Sequence, residues 1–508
     1  MTTASPRKDL ERRVESFVSW LFADFSPRVT RGPKVINDAL LGNQYFARHE
    51  VAVIDSPLLQ RLKQIKQTGL VFQVFPSARH SRFEHSLGAA TLAERCLTAI
   101  GDRASLEGEP SSVPPTRDRG DLAELRMAAL LHDVGHGLCS HLSEQIYEAF
   151  TDIRAFEKDP DFVDKSPGEI LSYLIVHTRT FRDWFQGIQD DCSSKLNIDT
   201  VASMILGRHP DPQKLFLAQI VSSPYDADKL DYIARDSLNC GLALTVDLPR
   251  FYSMIATTTY NEYKVLVLRN YVPLEQILFS KMTLYGSVYH HHKVKCLDQM
   301  LRAMVMHIAG NPATCAFNTR GQALAFQHAV DFLYVTDDEF FSGQAFGDKV
   351  VKGFHDRFRR RDLLARCVEI SRRTVVNWSS PERKSLIDLS AKPAQAVELE
   401  RAIYEQLPAA QRSTAHPSEV LLSVPKPPKL KGGFAFIQTD QHAAPEPIEQ
   451  YFPLEQWTDS YSHSKWKSFV YAPGSLRQQV RDAAIDVIRE RLGLEVDKDK
   501  SNQACHVS

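Results

Sequence analysis

Residues 130–141 read LLHDVGHGLCSH, polar groups set in an apolar run. Two leucines run into His132-Asp133, and further histidines follow at positions 136 and 141. A carboxylate and three imidazoles in an apolar segment are costly unless something satisfies them. The periodicity over 121–136 predicts a helix. Neighbouring residues on a helix point about 100° apart, so His132 and Asp133 can meet one ion only from adjacent directions. Further ligands must come from elsewhere. His85 in RFEHSLG and Asp228 in YDADKLDY each sit beside a predicted helix with apolar neighbours. Two imidazoles and two carboxylates suit divalent Mn, Fe, Zn or Ni. Such an ion lowers the pKa of a water or clamps a phosphate. His136, one turn from His132 on the predicted helix, shares its face and can reach a phosphate or a leaving group. Each fragment alone is more ordinarily a satisfied polar pair or a capped, solvated helix end. Their combination, in this order, carries the functional reading.

The chain has 508 residues, 43% of them hydrophobic, enough for a large core. Its 61 basic and 62 acidic residues leave a formal charge of −1, which argues against nucleic-acid binding by bulk charge. No apolar run is long enough to cross a bilayer, and the first residues, MTTASPRKDLERRVESF, lack the apolar core of a secretory signal. The eight cysteines are scattered singly without a CxxC pair, as reduced thiols of a cytoplasmic protein would be.

The organisation predicted is mainly α: a large helical core with a small β-hairpin, followed by a smaller α+β C-terminal lobe. Residues 1–33 form a lead-in with a short amphipathic helix, 34–340 the core and 341–508 the lobe. Ser56 as cap, Pro57 at the first helical position and Gly69 at the end predict one helix through LLQRLKQIKQT. Helical patterns recur at 85–100, 169–177, 212–220, 226–236, 273–309 and 321–334, and an exposed loop, GEPSSVPPTRDRG, lies at 108–120. YNEYKVLVL (260–268) reads as a hairpin strand. In the lobe, RFRRRDLLARCVEISRR and PAQAVELERAIYEQL read as helices, HPSEVLLSVPKPPKLKGGFAFIQ as strands around a Pro/Lys loop, and 474–493 as a final helix before a polar tail. RFRRR and KPPKLK admit a nucleic-acid partner, but such runs are usually solvated faces. Trp457, Tyr461 and Trp466 read as a small core.

The order H…HD…D resembles the HD-domain metal-dependent phosphohydrolases. KVINDALLG (34–42), IDSPLLQRLKQIKQTG (54–69), VFPSARHSRFEHSLG (74–88), LLHDVGHGLCSHLSE (130–144) and DADKLDYIARDS (226–237) resemble, more narrowly, the deoxynucleoside triphosphate triphosphohydrolases related to the sterile-alpha-motif and HD-domain protein. The resemblance implies hydrolysis of a dNTP to deoxynucleoside and inorganic triphosphate. It implies a divalent ion (Mn, Fe, Zn, Ni or Mg) on His85, His132, Asp133 and Asp228. Arg82 and Lys229 are implied as phosphate contacts, chemistry that suits a triphosphate. Tyr232 and Asp236 would hold the deoxyribose and Gln67 would also meet the sugar. Lys281 stands where the family meets phosphate with arginine, and Tyr289 follows. His136, His141 and Glu144 are implied as the acid/base group. The family carries a further histidine in a His-Glu-x-x-Ser pattern; PGEILSY here places Gly168 at that position, keeping Glu169 and Ser172.

The resemblance also implies allosteric nucleotide control at Lys34, Val35, Asn37, Asp55 and Gln60, with Lys63 replacing arginine. Without it, this stretch is an ordinary solvated helix start. The resulting expectation is a cytoplasmic homo-oligomeric enzyme, dimer or tetramer, with a dNTP (dGTP among them) as substrate and a nucleotide effector. By lowering the dNTP pool it would act in nucleotide control, and in antiviral or anti-phage defence if the source is bacterial. Two alternatives stand: an HD-type nuclease or other nucleotide phosphohydrolase, and a catalytically weak nucleotide-binding regulator.

Overall fold

The computed structural model describes residues 5–25, 32–106, 120–148, 150–156, 159–244, 246–342, 346–378, 380–427, 435–440 and 443–506. Most of the predicted 108–120 loop and most of KPPKLK lie outside the described residues. The fold is mainly α, with 24 α-helices and four small sheets among the described residues. None of these helices is long and apolar enough to cross a membrane. The chain forms two compact units: one of residues 1–281, 327–340 and 431–452, the other of 282–326, 341–430 and 453–508.

The first unit is built on the long Arg82–Leu106 helix, against which the Gly120–Leu131 and Ala227–Cys240 helices pack. The small residues Gly88, Ala89, Ala90 and Ala93 on the long helix are buried and permit close approach. The amphipathic lead-in helix, Pro6–Phe22, is capped by Ser5 and buries Leu10, Val14, Phe17, Val18 and Phe22. The expected hairpin is present as Ile255–Tyr260 paired with Tyr263–Leu268. It belongs to a four-stranded sheet, because Phe436–Ile437 adds in parallel beside Val267–Leu268. A second hairpin, Lys34–Asp38 with Gly42–Phe46, was not anticipated. Its outer positions are exposed, so the motif lacks the alternation of a half-buried strand.

The second unit packs the Pro393–Glu405 and Arg477–Leu492 helices on a three-stranded antiparallel sheet of Ala365–Ile370, Ser468–Ala472 and Leu421–Ser423. Tyr461 and Trp466 lie in its core, as expected, and Trp457 is half-buried.

Four expectations are corrected. The helix predicted over 57–68 is one short turn, Pro57–Gln60, and a 3-10 turn, Arg61–Gln64. The backbone then extends because Gln67 N–H donates to His80 O and Arg82 N–H to Ile65 O. Residues 321–334 are a short strand, Gln322–Leu324, and a 3-10 turn, Ala329–Leu333, rather than a helix. RFRRR ends the Lys349–Arg360 helix, and ARCVEI (365–370) is a sheet strand, paired along Ser468–Ala472 with Val368 and Ile370 buried. The predicted 121–136 helix stops at Leu131. The polar tail also holds a helix, Lys498–His506.

Candidate metal centre

Because the helix stops at Leu131, His132 and Asp133 lie in a turn, and His136 does not share a helical face with His132. Arg61 holds this turn: its guanidinium donates to Val134 O (2.5 Å) and His136 O (2.7 Å). The turn lies flat on the Pro167–His177 helix, where Gly135 N–H donates to Ser172 Oγ (2.8 Å). A Cβ on Gly135 would meet Gly168 O and Ser172 N at 2.4 Å, so only glycine permits the approach.

Three segments then converge. His85, fully buried in the first turns of the 82–106 helix, brings Nε2 to 3.1 Å from Asp228 Oδ1 and 3.3 Å from Asp133 Oδ2. His132 Nε2 is 3.4 Å from Asp133 Oδ1 and 3.9 Å from Asp228 Oδ1. Ligand-type atoms of His85, His132 and Asp228 lie within 4.8 Å of one another. Each ring is oriented through its other nitrogen, His85 Nδ1 on Asp231 Oδ2 (2.8 Å) and His132 Nδ1 on Ala129 O (2.7 Å). This leaves two buried Nε2 atoms without hydrogen-bond partners, both aimed at carboxylates. Burial disfavours charge on these rings, yet Asp228, Asp231 and Asp133 raise His85 to about 10, and Asp133 and Asp228 raise His132. The site therefore favours positive charge strongly, and its donor set fits a divalent cation held by two imidazoles and two carboxylates.

His136 adjoins the centre, with Nδ1 3.3 Å from Asp133 Oδ1 and Nε2 3.2 Å from Glu144 Oε1. His141, largely exposed, places Nδ1 2.7 Å from Glu144 Oε2. Burial and Arg82 lower the pKa of His136, whereas the two histidines hold the buried Glu144 well below the usual carboxylate range. Gly168 N–H donates to Glu144 Oε1 (2.8 Å). A Cβ there would stand 2.3 Å from that oxygen and 2.6 Å from His136 Cε1. The pair thus occupies the space a side chain at 168 would need.

Arg82 is buried and bonds to Asp133 and to Ser140 Oγ. Lys229 Nζ lies 2.7 Å from Asp226 Oδ2. Lys281 senses Lys229, and burial with that neighbour lowers its pKa to about 8. Tyr232 is half-buried, and the buried Asp236 binds His80 Nε2 at 2.7 Å. Gln67 is buried with Oε1 unpartnered. Tyr289 belongs to the second unit. Lys34 and Asp55 pair at 2.6 Å on the surface, Asn37 bonds Asn43, and Gln60 bonds Ile54 O. Val35 is exposed, and Lys63 Nζ sits 4.6 Å from the Phe83 ring centre. Sequence reasoning missed Arg61, His80, Asp231 and Arg235. Asp231 holds His85, and Arg235 holds Asp231 and Asp38. Their positions within the quoted motifs were the available signal.

A helical fold with His, His-Asp and Asp on three segments defines a metal-centred hydrolase class. Two family patterns match: HD domain over residues 82–235 and HD associated region over 246–503. The chain belongs to the HD-domain phosphohydrolase family, in the group that carries this associated region. It is 24% identical over 466 residues to an uncharacterized protein of Methanocaldococcus jannaschii, covering 90% of this chain and 83% of that one. It is 30% identical over 286 residues to the deoxynucleoside triphosphate triphosphohydrolase SAMHD1 of Mus musculus, covering 52% of this chain and 41% of that one. It is 27% identical over 281 residues to the SAMHD1 homolog of Dictyostelium discoideum, covering 55% and 49%. The chain thus spans about half the length or less of these two triphosphohydrolases.

Proposed function

We propose that the chain hydrolyses dNTPs to deoxynucleoside and inorganic triphosphate. The observation that carries the hydrolytic reading is the pair of orphaned, buried Nε2 atoms of His85 and His132 facing Asp133 and Asp228. The nucleotide reading rests on the triphosphohydrolase relatives and on the motifs shared with them.

His85, His132, Asp133 and Asp228 would hold the ion, which when bound polarises a phosphate and lowers the pKa of a water. Lys229 and Lys281, two cations beside one another, would bind the polyphosphate, and Arg82 would add its charge behind Asp133. Tyr232, Asp236 and Gln67 would hold the deoxyribose, with His80 fixing Asp236. His136 would deliver a proton to the departing 5′-oxygen, with Glu144 and His141 restoring it. In functional terms, residues 34–340 are the catalytic core, 1–33 lead in and 341–508 are an accessory lobe. Lys34, Val35, Asn37, Asp55, Gln60 and Lys63 would bind a nucleotide effector in a cytoplasmic homo-oligomer that lowers the dNTP pool.

Gly168 favours keeping a second reading, another nucleotide phosphohydrolase or nuclease on the same centre, because the family's histidine is replaced there. The test incubates purified protein with each dNTP and Mn or Mg, with and without candidate effectors, and separates the products by ion-exchange chromatography. Inorganic triphosphate supports the first reading. Monophosphate or orthophosphate moves the enzyme to the second, and tight binding without product makes it a regulator.

A further inference from the structure

A second group of metal-type side chains converges in the second unit, formed by residues not assigned above. His307 lies in the last turn of the His292–Gly310 helix, and Cys315 closes the short Pro312–Cys315 helix. Asp348 caps the Lys349–Arg360 helix, and His416 precedes the Pro417–Glu419 turn. Ligand-type atoms of His307, Cys315 and Asp348 lie within 4.8 Å of one another. His307 Nε2 is 3.2 Å from Asp348 Oδ1, and the His307 and His416 ring centres are 5.6 Å apart. Cys315 is buried, His307 and Asp348 are half-buried, and His416 forms the exposed rim.

Helix capping explains only part of this cluster. Asp348 accepts from the N–H groups of Val350 and Val351 on Oδ1. Its link to His307 uses the same oxygen, so Oδ2 is left for an ion. A cap of this kind requires neither a thiol nor imidazoles. His416 engages Ser418 Oγ through Nδ1, leaving Nε2 to ligate, which is the usual way a metal-binding ring is oriented. Two imidazoles on one tetrahedral zinc, with Zn–N of about 2.0–2.1 Å, place their ring centres roughly 5 Å apart. The observed separation is close to that.

We propose that His307, Cys315, Asp348 and His416 form a structural site for a divalent transition ion of the zinc type. The His307 nitrogen, the Cys315 sulfur and an Asp348 oxygen form the observed group of three, and His416, at the rim beside the His307 ring but outside that group, turns in to supply the fourth donor; a site closed in this way braces the fold rather than catalyses. On binding, the Cys315 thiol gives its proton to solvent and the thiolate takes the metal. The site unites four separate segments of the chain and does not depend on the triphosphohydrolase reading.

Cobalt discriminates the two centres, because only this one contains sulfur. Full-length protein titrated with Co2+ is expected to show a sulfur-to-cobalt charge-transfer band that Zn2+ displaces. Cys315→Ser should abolish the band, whereas His132→Ala should keep it. Zinc measured by plasma mass spectrometry should fall by one ion per chain in Cys315→Ser and in His307→Gln. The latter reads the same site if the serine variant does not fold. No band in the wild type at saturating cobalt, or a band that survives Cys315→Ser, overturns the proposal.

Discussion

At the residue scale, the centre depends on side chains that do not themselves face the ion. Asp231 fixes the His85 ring through Nδ1 and is fixed in turn by Arg235. Asp231→Asn keeps the shape but removes the charge that holds the tautomer. Metal affinity or turnover should fall about 10–100-fold, read by metal titration alongside kcat. An unchanged affinity and rate would show that His85 is oriented otherwise. Gly168→Ala is a sharper case. Alanine is favoured over glycine in a helix by about 1 kcal/mol, yet the added Cβ would strike Glu144 and His136. The variant should lose roughly 1–3 kcal/mol and lose turnover as the pair is displaced, measured by urea melts and initial rates. A variant more stable and equally active would mean that the pair moves freely.

Asp337 belongs to the same scale. Burial raises its carboxyl to about 6, although it accepts from the backbone N–H groups of Cys139 (2.6 Å) and Lys66 (2.8 Å). Below about pH 4 both folded and unfolded chains hold this proton. Between about pH 4 and 6 the unfolded chain releases it first, so rising pH favours unfolding. The group costs about 3 kcal/mol of stability by the time pH passes 6. Asp337→Asn removes that slope, at the fixed cost of one accepted hydrogen bond. The wild type should therefore lose stability relative to the variant as pH climbs from 4 to 6 in parallel urea titrations. Parallel curves would contradict the assignment.

At the scale of elements, one buried ion cluster joins three helices. Arg126 on the 120–131 helix donates to Glu50 (2.6 Å) on the Arg48–Ile54 helix and to Glu94 (2.6 Å) on the 82–106 helix. Arg126 and Glu50 are fully buried. Removing the cation leaves the fully buried Glu50 carboxylate unpaired, with the partly exposed Glu94 beside the gap, so Arg126→Ala should cost about 3–5 kcal/mol. Thermal melting of the metal-loaded protein checks this, and a loss below 1 kcal/mol would show that water replaces the guanidinium. The elements also show where pattern reading works. The Pro167–His177 helix was legible because Ser166, Pro167 and Glu169 form a capping box before an apolar run. The 57–68 segment shares the Ser-Pro start but has Leu59 where the capping box needs an acid, and the backbone hydrogen bonds that pair residues 65 and 67 with 82 and 80 draw the chain out of the helix. Propensity is a weak prior against such bonds.

At the scale of the whole molecule, the proposed ion joins the 82–106 helix, the 132–133 turn and the 227–240 helix, segments far apart in sequence. An ion bound only by the folded chain adds about RT ln(1 + [L]/Kd), roughly 3 kcal/mol at a hundredfold excess over Kd. Chelation should therefore both abolish hydrolysis and lower the melting temperature, and one divalent ion should restore both. Full activity in excess chelator would remove the metal from the reaction. The mainly α class, the family resemblance and the four candidate ligands were legible in the amino-acid order, because residue types and short-range periodicity are local properties. The folded chain alone reveals that His132 and Asp133 sit in a turn pinned by Arg61, that Asp231 orients His85, and that Gly168 yields its space to His136 and Glu144. Those facts depend on distances between segments up to about 150 residues apart, and no local pattern of side chains encodes such distances.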